Sequence, residues 1–189
     1  KHLNFDTVRF NPNIMMNSSS LNAREYLRAC NRLGVYNLFP MPPYDNDEMS
    51  LYREGVEKFF EHYGQYTSII MWYTDFNTCH YQRNQDPYYL NDTEYLPERV
   101  IPPRRKAMTA ERTIRALDST REVFQHAGGN SGKIFTSMNY QSYGTPLQEQ
   151  EDWPKIWSAN HTQPLMVVES GFPYPFQFLY FDGPKENWL

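Results

Sequence analysis

Ser68-Ile69-Ile70-Met71-Trp72-Tyr73 is a short, continuous apolar stretch running into Thr74-Asp75. A half-exposed strand would alternate apolar and polar residues; a run without alternation reads as a strand buried on both faces of a parallel sheet. Leu165-Met166-Val167-Val168-Glu169 repeats the pattern near the end of the chain. Between these strands the period changes. Ala23, Tyr26, Leu27, Cys30 and Leu33 follow helical spacing, with Asn22 placed as an N-cap and Gly34 as a C-cap. Val56, Phe59, Phe60 and Tyr63 share one side of a second helix, over Leu51 to Tyr63, which Gly64 ends. Two more helices are expected at about Arg104 to Leu117 and Leu147 to Ser158. Further strands are expected at Leu3 to Phe10, Val35 to Phe39, Val123 to Ala127 and Ile134 to Met138.

Strands mostly separated by helices imply parallel pairing through right-handed crossovers. A doubly wound sheet and a barrel both satisfy that order. A doubly wound nucleotide binder needs a Gly-rich turn between its first strand and helix. Here that turn, Asn11 to Leu21, contains no Gly, and Gly128-Gly129-Asn130-Ser131-Gly132 leads into a strand, not a helix. The expected fold is therefore α/β, a (β/α)8 TIM barrel in one domain over residues 1–189, incomplete at about six of eight strands. The irregular stretch from Thr74 to Pro103 is long enough to be functional or mobile.

Bulk properties narrow the function classes. The net charge of −4 provides no basic field for nucleic acid, and Arg104-Arg105-Lys106 reads as a solvated patch. No apolar run approaches the roughly 20 residues of a membrane helix. Lys1-His2-Leu3-Asn4 is not a signal peptide, and the chain reads as a mature product, a fragment or part of a longer protein. Cys30 and Cys79 are not paired by sequence, and Asn17, Asn91 and Asn160 head glycosylation triplets that matter only in a eukaryotic secretory route. The compartment is open, with an extracellular or periplasmic setting favoured. The five histidines, at 2, 62, 80, 126 and 161, lack metal-ligand spacing, and no cofactor is implied. Aromatics make up 16% of the chain, with 15 Tyr and 12 Phe, which suits either a ring-rich core or platforms for sugar faces.

Ser68 through Trp72 and on to Asn77 resembles the fourth-strand motif of family 2 glycoside hydrolases, where a Ser-Ile-Val-Met-Trp run ends in Asn-Glu. Arg115-Ala116-Leu117-Asp118-Ser119-Thr120-Arg121 resembles the stretch before that family's fifth strand. Gln163 to Gly171 resembles its seventh strand, and Val8-Arg9 the end of its second. The resemblance covers roughly residues 3 to 175, from the second strand to the seventh. It implies a retaining hydrolase of β-linked glycosides acting on an oligo- or polysaccharide. The first and eighth strands would come from sequence beyond this chain, or the molecule would act as a homo-oligomer.

The same resemblance makes Glu169 the nucleophile and Arg9 its supporting cation, while Tyr140 and Tyr143 are alternative phenol partners. A nucleophilic carboxylate must stay ionised, which nearby positive charge favours. The family's acid/base Glu falls on Asn77, which cannot donate and retrieve a proton as a carboxylic acid does. Asp75 is the first substitute, ahead of Asp86, Asp92 and Glu94. Phe76, His80, His126, Asn139 and Phe172 complete the expected sugar-binding set, though a buried structural histidine is the equal alternative for His126. Trp72, inside the apolar run, reads more readily as core. The rival function is a glycan-binding barrel that has lost its acid/base.

Overall fold

The computed structural model describes residues 6–9, 22–44, 49–74, 98–126, 128–139 and 146–170; for Arg99, Met138, Asn139, Leu147, Gln150, Glu169 and Ser170 it describes the backbone alone. In chain order the elements are β1 (Thr7–Arg9), α1 (Ala23–Leu33), β2 (Tyr36–Pro40), α2 (Met49–Tyr63) and β3 (Ile69–Thr74). A 3-10 turn at Glu98–Val100 then runs directly into α3 (Ile101–Leu117). β4 (Glu122–Gln125), β5 (Phe135–Asn139), α4 (Leu147–Asn160) and β6 (Leu165–Ser170) follow.

Local chemistry sets most of these boundaries. The Asn22 side chain accepts from the Arg24 amide at 2.9 Å, and Gly34 takes the left-handed φ of 64° that closes α1. α3 starts earlier than the sequence pattern suggests. Pro102 and Pro103 occupy its first turn, where a missing amide costs no hydrogen bond.

All strand pairs in the two sheets are parallel, as expected, but the strands do not form one continuous sheet. One sheet has the order β1-β2-β3-β4 and the other contains β5 and β6. No closed barrel forms among the described residues. The break falls where no helix separates neighbouring strands in the chain. Thr136 stitches the two sheets in place of a ladder: its Oγ accepts from the Gly128 amide at 2.9 Å and donates to the Gln125 carbonyl at 2.6 Å. Its backbone also forms an antiparallel bridge with Gly129.

The four-stranded sheet has two differently furnished faces. On one, Ile69, Trp72 and Val123 pack against Leu27, Val56 and Ile114 of the helices. The opposite, inner face carries Leu38, Tyr73 and Phe124, with Ile134, Met166 and Val168 joining them from the other sheet. A register shift in β3 lets Ile69 and Trp72 share the helix side, because Asn37 pairs with Ile69 and Leu38 with Met71. Ile70, the extra residue, is 38% exposed, so the apolar run is not buried along its whole length. α4 covers the second sheet through Trp153 and Trp157, which meet Phe135 and Leu165.

Candidate active site

The C-terminal ends of parallel strands are where such folds gather functional groups. Arg9 closes β1, paired in register with Leu38, and is half-buried. Residues in register on parallel neighbours point to the same side, so Arg9 shares the inner face with Leu38 and Tyr73. Burial pushes the Tyr73 phenol up to about 12, and the Arg9 guanidinium pulls against that shift. The Tyr73 ring stacks on Phe124, with centroids 5.4 Å apart at 29°. A cation and two aromatic rings thus share the inner face.

His126 follows β4 directly and is 1% exposed; its amide donates to the Thr74 carbonyl at 3.1 Å. Asn130 accepts from the Arg104 guanidinium at 3.1 Å. Arg104 is only 8% exposed, so the basic triplet is not a solvated patch throughout: its first member is buried. In the second sheet, the register places Glu169 level with Met138, and Ser170 level with Asn139, at the exits of β6 and β5. Asp75, Phe76, Asn77, His80, Tyr140, Tyr143 and Phe172 lie outside the described residues, as do Asp86, Asp92 and Glu94.

Trp72 is fully buried and donates through Nε1 to Asp118 at 2.8 Å, so it is core. The stretch Arg115 to Arg121 builds supporting structure. Burial disfavours the Asp118 carboxylate, but bonds from Thr120, Trp72 and Arg121 outweigh it and hold the pKa down to about 2. Arg115 bridges Glu111 at 2.9 Å and Glu122 at 2.7 Å; burial opposes its charge, and the two carboxylates more than restore it. The Glu111–Arg115 and Asp118–Arg121 pairs are local in sequence, whereas the links to Trp72 and Glu122 join separate elements and leave no sign in the spacing. Among the described residues no group of His, Cys, Asp and Glu could hold a metal ion, and no helix is long and apolar enough to cross a membrane.

Solved structures share this fold. The chain superposes on a β-glucuronidase of Bacteroides uniformis with a TM-score of 0.58 and 20% identity, over 88% of this chain and 20% of that one. The fold resembles part of a β-glucuronidase. A further structure from that organism, β-glucuronidase 2 bound covalently to a cyclophellitol-6-carboxylate aziridine, gives 0.56 at 20% identity with the same coverage. The β-glucuronidase of Parabacteroides merdae gives 0.54 at 12% identity, again over 88% of this chain and 20% of that one. This chain therefore spans about a fifth of the length of the structures it matches. No family model matches the sequence, and no curated protein matches it significantly. The likeness to the β-glucuronidases agrees with the family resemblance carried by the strand motifs.

Proposed function

We propose that this chain is the central part of a (β/α)8 barrel that hydrolyses β-linked glycosides with net retention. The observation that carries the proposal is the shared fold with β-glucuronidases over 88% of the chain. Those neighbours make a β-glucuronide the first substrate to test. In this reading the free edges of β1 and β6 meet the first and eighth strands of a longer protein.

Glu169 is the proposed nucleophile. Its carboxylate attacks the anomeric carbon as the leaving-group oxygen takes a proton from an acid, giving a covalent glycosyl-enzyme. Asp75 is the proposed acid, and then the base that activates water to release the sugar. Retention requires their carboxyl groups to lie about 5–5.5 Å apart. Arg9 would keep Glu169 ionised, and the neighbouring Tyr73 and Phe124 rings would exclude water around that charge. His126 and Asn139, at strand ends, and Phe76, His80, Tyr140, Tyr143 and Phe172, in the segments that follow, are the proposed sugar contacts.

Aryl β-glucuronides and β-galactosides with activated leaving groups provide the test, since they need little acid assistance. Glu169→Gln should reduce hydrolysis by about three orders of magnitude, roughly 4 kcal/mol of transition-state stabilisation. Undiminished hydrolysis in the variant would remove Glu169 from the mechanism. Glycan binding without turnover in both forms would favour the rival reading, a glycan-binding barrel, which rests on Asn77 at the acid/base position.

A further inference from the structure

Between α3 and the 128–134 connection lies a cavity of about 940 Å3, in the stretch of chain where β4 and β5 have no helix between them. Arg104, Met108, Arg112 and Arg115 follow one another at spacings of four, four and three, and with Glu111 present one face of α3 to it. Lys133, Ile134 and Pro164 line the opposite side.

Both carboxylates in this cavity are paired. Glu111 accepts from Arg115 at 2.9 Å, from the Gln125 amide group at 3.3 Å and from the Lys133 backbone at 3.3 Å. Glu122 pairs with Arg115 at 2.7 Å, and the Gly132 carbonyl accepts from Gln163 at 3.0 Å. The donors are in surplus. Arg112 and Lys133 are exposed and have no carboxylate within ion-pair distance among the described residues. The buried Arg104 guanidinium of the same wall is engaged by Asn130 and is no part of that surplus. A cavity with paired carboxylates, the two cations Arg112 and Lys133, and apolar Met108, Ile134 and Pro164 is complementary to an anion with an apolar body.

We propose that this cavity binds a small organic anion, its charged head between Arg112 and Lys133 and its apolar body against Met108 and Ile134. The site is independent of the glycosidase reading, and binding alone tests it. Naphthalene-2-sulfonate is a suitable probe, titrated calorimetrically into the full chain. One-to-one binding is expected, weakened at least tenfold by Arg112→Glu combined with Lys133→Glu. Neutral 2-naphthalenemethanol and inorganic sulfate should each bind at least tenfold more weakly, because each offers only half of the recognised chemistry. Naphthyl phosphate and naphthoate then rank the head groups. If the double variant loses its circular dichroism signature, single Arg112→Gln and Lys133→Gln replacements serve instead, each expected to weaken binding at least threefold. Binding unchanged in the folded variants, equal binding of the neutral analogue, or no binding of the sulfonate at millimolar concentration would overturn the proposal.

Discussion

Asp118 shows how much structure one carboxylate can organise. It accepts from the Thr120 amide at 2.9 Å, from Trp72 at 2.8 Å and from Arg121 at 2.8 Å, while its own amide closes α3 on the Ile114 carbonyl. Arg121 in turn donates to the carbonyls of Ile69 and Gly64, each at 2.8 Å, and lies 5.2 Å from the centre of the Trp72 ring. Because folding lowers the Asp118 pKa from 3.8 to about 2, the folded state binds fewer protons in that range. The resulting stabilisation is complete above about pH 4 and fades as pH falls toward 2. After allowance for solvent screening at the rim, it amounts to about 1–2 kcal/mol. Urea unfolding of the wild type should therefore weaken between pH 5 and pH 2 by about that much more than Asp118→Asn does. Equal slopes would show that the carboxylate is not held as described. The stretch from Arg115 to Arg121 stood out in the sequence only through its family resemblance. Its structural task was not legible there, because Trp72, Ile69 and Gly64 lie about 50 residues away.

Elements were legible wherever local chemistry decides them. The Asn22 cap, the Gly34 stop and the helical apolar spacing placed α1 correctly, since caps and periodicity are short-range effects. The start of α3 was less legible, because two consecutive prolines suit both a loop and a helix's first turn. Glycines show the same division between local and long-range causes. Gly55 lies inside α2 with nothing within 4 Å of a Cβ, so Gly55→Ala should stabilise the protein by about 0.5–1 kcal/mol. At Gly132 a Cβ would collide with Oε2 of Glu111, whose carboxylate is held by Gln125 on that oxygen and by Arg115 and the Lys133 amide on the other. Gly132→Ala should destabilise by about 1–3 kcal/mol. Chemical denaturation of the two variants checks both the opposite signs and the sizes.

At the scale of the molecule, strand count and parallel pairing followed from the alternation of strands and helices, but the division into two sheets did not. Whether neighbouring strands share a ladder depends on their spacing in three dimensions, and the Gly128 to Gly132 turn gave only the absence of a helix. Since Thr136 joins the sheets where no ladder does, the β5–β6 unit should open separately. Thr136→Val should lower hydrogen-exchange protection in β5 and β6 more than in β2 and β3; a uniform loss would mean that the two sheets open together. The proposed catalytic residues are the least legible at this scale, because the motifs place Glu169 and Arg9 on strand ends that belong to different sheets. The Arg121 clasp, finally, bears on the order of events in folding. Its bonds to Gly64 and Ile69 close loops of more than 50 residues, contacts that cost chain entropy and are therefore expected to form late. Arg121→Met should thus speed unfolding several-fold while leaving the refolding rate nearly unchanged, the kinetic signature of a latch set after the transition state.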